Sequence, residues 1–298
     1  MIAAFGPPAL SWNLSSDLHQ LFQFRFMTNA FAAGTIVAVV AAPIGWFMVL
    51  RRQTFAGHTL AVVGFPGAAG AALIGISIND GYYAFCIIAA LVIAAVPRAR
   101  QGGYSEESAV IGTIQAFALA CGFLFVTLYA GTLNGVNSLL FGNFLGITTG
   151  QILALAGFAV VGLAVLAAIG RPLLFASIDP DVAASRNVPT QALSVAFLVL
   201  LGVAAAETSQ ITGALLVFAL LVLPAATTQT LTARPWRSLA LAVVVALAVT
   251  WAGLAVSYFT PYPIGFWVTT IAFAAYVLAH LPRLAARARV HVRAGPTP

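Results

Sequence analysis

The apolar segments of this chain constrain its fold more than any other feature of the sequence. About nine of them follow one another, each close to the roughly 20 residues that a helix needs to cross a bilayer. They cover approximately residues 29–50, 58–78, 81–97, 108–130, 150–170, 190–207, 211–231, 238–257 and 264–282. A backbone in hydrocarbon must satisfy its own hydrogen bonds, so segments of this length predict helices. The sequence therefore predicts an all-α, polytopic bundle of eight to nine transmembrane helices.

The composition indicates the same class of protein. Apolar residues make up 61% of the chain and charged residues 7%, with a mean hydropathy of +1.01, whereas a soluble domain carries about 25% charged residues. We expect residues 1–26 to form an exposed or interfacial N-terminal segment, with an interfacial helix around Leu18–Met27. Residues 27–282 are expected to form one transmembrane domain, and residues 283–298 a basic cytoplasmic tail.

The arginines predict the orientation of the chain. All thirteen basic residues are arginines. If the first span ends in the cytoplasm at Arg51 and Arg52, twelve of the thirteen fall on that side and only Arg25 on the other. Because positive residues favour the cytoplasmic face, the N-terminus is expected outside and the C-terminus inside. This distribution explains the net charge of +6, and no nucleic-acid binding is expected.

Histidine 58 is the first candidate functional residue. It lies near the start of the second predicted span, and an ionisable group in a membrane helix is a functional candidate by default. A histidine at a span end is equally typical of an interfacial position, so both interpretations stay open. A metal site on a helix usually takes a second donor at the i+4 position, and Val62 occupies that position.

Small residues recur along the same span. Gly67, Ala71 and Gly75 are spaced by four residues, and Gly64 begins a neighbouring stripe, which is the spacing that lets helices pack closely. Pro66 removes one backbone hydrogen bond, a change tolerated where neighbours or a water-filled cavity satisfy the freed carbonyl. The pattern predicts a helix packed in the centre of the bundle and bent near a pathway. Small residues and proline are also common in membrane helices generally, which is the alternative.

The segment from residue 179 to 188, DPDVAASRNV, predicts a short helix on the arginine-rich face. Asp179 as N-cap with Pro180 at the first helical position is a start signal, and Asn187 followed by a proline is a stop signal. Asp181 and Ala183 lie within the predicted helix. An ordinary loop between spans is the alternative.

Glu207 is the second candidate pathway residue. It falls between two predicted spans on the outer side, where a cation would arrive, although interfacial exposure also explains it. Only a few residues separate these two spans. The alternative is that the two form one broken or re-entrant element, which would give eight transmembrane spans. Glu207 also supports a different class of function, an ion-coupled secondary transporter of a small solute, because such carriers use buried acidic residues.

Four blocks of sequence resemble the membrane permease subunits of zinc, manganese and iron ABC importers. They are RRxxFxGHxLAxxxxPG from residue 51, LLFGNFLGIT at 139–148, SIDPDVAASRNV at 177–188 and TGALLVFALLVLPAATTQTL at 212–231. They occur in the family's order over about residues 22–282. The resemblance implies a permease whose substrate is a divalent metal ion. Zn²⁺ or Mn²⁺ is the expected substrate, and iron or a chelated metal is the alternative. No permanently bound cofactor is expected.

The resemblance also implies partners. They are a second permease copy in a homodimer, an ATP-binding cassette ATPase and an extracytoplasmic metal-binding receptor, assembled at a bacterial plasma membrane and surrounded by lipid. The segment 179–188 then corresponds to the coupling helix that sits in a cleft of the ATPase. In the family an aspartate and, four residues later, a histidine stand where this chain has His58 and Val62. The resemblance therefore makes His58 a candidate substitute donor, whereas with Val62 the second donor is lost.

Catalytic motifs are missing from the sequence. There is no GxxxxGK[ST] phosphate-binding loop and no HExxH zinc-protease motif. The chain is therefore predicted to be a transport subunit without an ATPase site of its own.

Overall fold

The computed structural model describes residues 14–95, 103–129 and 146–293, and every regular element in these ranges is a helix. The ends of the predicted N-terminal segment and basic tail, residues 1–13 and 294–298, lie outside this part. So do residues 96–102, which include Arg98 and Arg100, and residues 130–145, which include most of the block at 139–148. The predicted all-α bundle is confirmed.

Eleven helices are described. They are α1 (Leu14–Gln23), α2 (Arg25–Leu50), α3 (Thr54–Ile74), α4 (Ile78–Ala95), α5 (Gly103–Leu128), α6 (Thr149–Ile178), α7 (Pro180–Ser185), α8 (Thr190–Thr212), α9 (Ala214–Leu231), α10 (Pro235–Tyr258) and α11 (Ile264–Arg293). Eight of them are long and apolar enough to cross a membrane, and α9 is a shorter apolar helix over Leu216–Leu231. The nine predicted spans correspond to α2–α6 and α8–α11, so the chain is a multi-pass membrane protein.

The centre of the bundle is formed by α2, α3 and α8 together with the shorter α9, whose residues Val217 and Leu220 are fully buried. The most apolar stretches of α2, α3 and α8 are each 72% buried inside the chain, whereas those of α5, α6 and α11 are 11% to 17% buried. The outer helices expose large apolar side chains, such as Phe117 and Phe123 on α5 and Val160 on α6. In a membrane protein this outer surface suits lipid tails, and the packed centre is where a pathway residue would be held in place.

The hairpin of α8 and α9 corrects one prediction. Glu207 does not lie between two spans, because α8 continues to Thr212 and contains Glu207 in its last two turns. A single residue, Gly213, separates the two helices and has φ 81°. This conformation costs glycine little, so the chain reverses at one residue, and the polar residues before it stay helical.

Both ends of the transmembrane region extend as helix. At the N-terminus α1 is followed after one residue by α2, and Leu18 and Phe22 of α1 are about half exposed. At the C-terminus α11 continues to Arg293, so the first part of the predicted basic tail prolongs the last membrane helix.

Candidate functional site

The small residues of α3 pack against α4. A Cβ atom added at Gly67 would lie 2.5 Å from Cβ of Phe85 and still closer to the carbonyl oxygen of Gly81. A Cβ atom at Gly64 would enter the ring of Tyr82, with Cε2 2.6 Å away. Real Cβ atoms do not approach other atoms this closely, so the backbones of α3 and α4 cross at a distance that only glycine permits.

The remaining small residues of the stripe differ in role. Ala71 faces Gly81 of α4 and continues the crossing. Gly75 has no atom within 4 Å of an added Cβ; it is the left-handed C-cap of α3, with φ 78° and its N–H bound to the carbonyl of Ala71. Pro66 is buried inside α3 and packs against α5, where a Cβ at Gly122 would lie 3.0 Å from the Pro66 Cβ.

His58 lies in the second turn of α3 and is half-buried. Its ring meets Phe218 of α9 edge to face, with the ring centroids 4.8 Å apart. Nδ1 of His58 is buried and has no hydrogen-bond partner in the described structure. An unpaired buried nitrogen is costly, so such an atom calls for an explanation. One turn later Val62 is buried and apolar, and it offers no second donor.

A polar pair that the sequence reasoning missed lies beside His58. The hydroxyl of Thr59 donates a hydrogen bond of 2.8 Å to Oε1 of Gln115 on α5. Thr59 is fully buried and Gln115 half-buried. The available signal was the presence of a glutamine in the middle of an apolar span, since a buried amide in a membrane requires a partner.

Glu207 borders a small cavity that His58 does not line. It is 8% exposed and borders a cavity of about 20 Å³ between α2, α6 and α8, which is room for one water molecule. Its neighbours Ala205 and Ala206 pack against α4 and α3 instead. His58 is not among the residues that line the cavity, so the two predicted pathway residues do not border one cavity in the described structure.

Within the described part of the chain, no cluster of metal-binding side chains surrounds His58 or Glu207. Across the described ranges there is no group of three or more His, Cys, Asp or Glu side chains that could hold a metal ion. The two cysteines are unpaired: Cys86 is buried and donates to the carbonyl of Leu60 at 3.4 Å, and Cys121 is partly buried. A cage of protein donors is therefore missing from this part of the chain.

The predicted short helix of the cytoplasmic loop is present as α7. The Asp179 side chain accepts a hydrogen bond of 3.0 Å from the Val182 N–H, and Pro180 occupies the first helical position. At the other end Asn187 has φ 59°. The N–H of Val188 binds the carbonyl of Ala183 at 3.0 Å, which is the closing bond of a Schellman cap.

α7 is held by one side chain and is otherwise outward-facing. Ala183 is fully buried in the main core, whereas Asp181, Val182 and Arg186 are exposed. Since both ends are capped by the chain's own groups, the helix keeps its shape while most of its surface stays open to a partner.

Comparison with known proteins gives the family. The model of the ABC 3 transport family matches residues 23–282. The chain belongs to the ABC 3 transport family. Family membership confirms the resemblance drawn from the four sequence blocks.

Two relatives and one solved structure illustrate the similarity. The chain is 32% identical over 228 residues to the chelated iron transport system membrane protein YfeC of Yersinia pestis, covering 76% of each chain. It is 29% identical over 222 residues to the manganese transport system membrane protein MntC of Halalkalibacterium halodurans, covering 74% of this chain and 75% of the relative. The fold is similar to PsaBC from Streptococcus pneumoniae in complex with Fab, with a TM-score of 0.78 at 22% identity, covering 90% of this chain and 95% of the other.

Proposed function

We propose that this ABC 3 family member is the permease subunit of an ATP-driven importer for a divalent transition metal. The observation that carries the proposal is the family match over residues 23–282, together with relatives of 29% and 32% identity named for manganese and chelated-iron transport. It favours an ABC permease over an ion-coupled secondary carrier.

Manganese is the substrate that we favour, with chelated iron second and zinc third. His58 offers one imidazole, and Val62 adds no donor one turn away. Zinc is usually held by several nitrogen or sulfur donors, whereas Mn²⁺ suits oxygen ligands and water. A metal that keeps most of its water or chelator ligands needs few protein donors. We infer that Nδ1 of His58, buried and unpaired, makes a transient contact with such a cargo.

The remaining partners follow from the same proposal. α7, capped at both ends and exposed over most of its surface, is the coupling helix that docks on the ATPase. The arginine distribution supports a cytoplasmic position for it, with the N-terminus outside and the C-terminus inside. A second permease copy and a metal-binding receptor on the outer side complete the importer in the bacterial plasma membrane. The permease contributes no ATPase site.

Metal uptake by the complete transporter tests the proposal. Cells lacking their own uptake systems would express the permease with its ATPase and receptor, and would be given radiolabelled manganese, iron with a chelator, or zinc. We expect uptake of manganese above the other two, and none when the permease is left out. Equal uptake with and without the permease would refute the proposed role, and a preference for zinc would refute the order of substrates.

A further inference from the structure

The turn between α2 and α3 contains an arginine that contacts three separate parts of the chain. Arg51 is the C-cap of α2 and is half-buried. Its Nε donates to Oε1 of Gln53 at 3.1 Å, and its two terminal nitrogens donate to Oγ of Ser177 at 3.1 Å and Oγ of Ser194 at 2.6 Å. Gln53 is buried and is the N-cap residue of α3. One guanidinium therefore joins the start of α3 to two other helices.

The two serines lie on either side of α7. Ser177 is in the last turn of α6, two residues before the cap Asp179. Ser194 is in the second turn of α8, which begins at Thr190. The segment between them contains α7 and its caps. Because Arg51 bonds to the helix ends on both sides of α7, a displacement of α7 would move two hydrogen-bond partners of Arg51 in the α2–α3 turn.

The guanidinium is held in a fixed orientation. It lies over the ring of Phe197, with Cζ 5.6 Å from the ring centroid, and Phe197 is fully buried. The hydroxyl of Ser177 donates its own hydrogen to the carbonyl of Leu173 at 2.5 Å, so its oxygen is oriented to accept from Arg51. An arginine presents five N–H groups in a rigid fork and can contact three acceptors at once, whereas a lysine has a single nitrogen.

We propose that Arg51 transmits movement of α7 to α3, and thereby to the turn that carries His58. The inference rests on the proposed function, in which α7 is the coupling helix of an ABC permease. Arg51 is a positioning residue, since its described partners are protein groups. With the link intact, a shift of α7 displaces Ser177 and Ser194, and the guanidinium carries this shift to Gln53 and the first turn of α3. Without the link, α7 moves with the ATPase while α3 does not follow.

The ratio of metal transported to ATP hydrolysed tests this role. The complete transporter would be reconstituted in proteoliposomes, and both quantities measured on the same sample with manganese. Arg51→Gln should lower the ratio roughly tenfold, since hydrogen bonds to a charged group contribute enough to change an equilibrium about tenfold. Arg51→Lys should give an intermediate ratio. Arg171→Gln is the matched control, because it removes the same charge at an exposed position of α6 and leaves the described contacts of Arg51 in place.

A second pair of variants separates transmission from a structural role. Ser177→Ala with Ser194→Ala removes both acceptors and leaves Arg51 in place, and it should lower the ratio as Arg51→Gln does. Adding Arg51→Gln to the serine pair should cause no further loss. An unchanged ratio in either the arginine variant or the serine pair, or losses that multiply in the combination, would overturn the proposal. If Arg51→Gln does not assemble with the ATPase, the serine pair alone decides.

A measurement without metal keeps the inference distinct from the proposed substrate. Ile76 is exposed just beyond the end of α3, and a fluorophore on Ile76→Cys reports movement of that helix. Its signal should change when ATP is added to the wild-type complex and should stay constant in the Arg51→Gln complex. A wild-type complex that transports no metal refutes the proposed substrate alone, whereas an ATP response retained by Arg51→Gln refutes the role of Arg51.

Discussion

Replacing Gly67 by alanine should destabilise the bundle, because its Cβ would enter the crossing of α3 and α4. The added atom would lie 2.5 Å from Cβ of Phe85 and closer still to the carbonyl oxygen of Gly81. Even a close C–H···O contact between helices keeps the carbon and oxygen about 3.3–3.6 Å apart. The two backbones must therefore separate by roughly 1 Å, and the contacts along the whole crossing weaken.

The expected cost follows from overpacking. Extra carbon atoms in a filled site cost about 1–3 kcal/mol, and Gly67→Leu should cost more than Gly67→Ala because its branch would meet Phe85. A loss of 1 kcal/mol lowers the unfolding midpoint of a protein with a few hundred residues by about 2–4 °C. Gly67→Ala should thus lower the midpoint by roughly 2–12 °C, and Gly67→Leu should block assembly or transport.

Thermal unfolding in detergent, followed by size-exclusion chromatography, measures the effect. Gly157 is the matched control: it lies on the exposed side of α6, and a Cβ added there has no atom within 4 Å. Gly157→Ala and Gly157→Leu should not lower the midpoint, because each replaces a glycine inside a helix by a better helix former in open space. If Gly67→Leu assembles, transports and melts as the wild type does, the close crossing of α3 and α4 is wrong.

Three other variants test α7 and the start of α3. Reversing the charges of Asp179 and Asp181 removes the N-cap bond to Val182, which is worth about 0.5–2 kcal/mol. In proteoliposomes, ATP hydrolysis should continue and the protein should still insert in the membrane, but the amount of metal transported per ATP should fall. Normal coupling would contradict the role of α7. His58→Ala should lower radiolabelled manganese uptake by roughly tenfold or more, judged by the cost of losing a partner at a metal site. Val62→His should raise uptake or change selectivity, because it places a second imidazole one turn away; no effect of either variant would show that the metal does not pass this face of α3.

The helices and the caps of α7 were predictable because their causes are local. Span length follows from bilayer thickness, and the α7 boundaries follow from Asp179, Pro180 and Asn187, whose side chains or backbone preferences act within a few residues. The end of α8 was not predictable in this way. The predicted span ended at residue 207, but residues 208–212 remain helical, and the local signal for the reversal is Gly213.

The site depends on contacts that no local pattern encodes. The spacing of Gly75 matched a packing stripe, yet Gly75 is the left-handed C-cap of α3, and a Cβ added there would have no atom within 4 Å. Arg51 was interpreted as a charge that sets orientation. Its partners Ser177 and Ser194 are 126 and 143 residues away in the chain, so only the packed bundle brings them together.

The most direct test of the proposed function is the energy source of transport. The permease would be reconstituted in proteoliposomes alone, and also with its ATPase and receptor, and accumulation of radiolabelled manganese would be measured with ATP or with an imposed ion gradient. We predict that only the complete assembly accumulates manganese, and only with ATP. Accumulation by the permease alone, driven by the ion gradient, would contradict it.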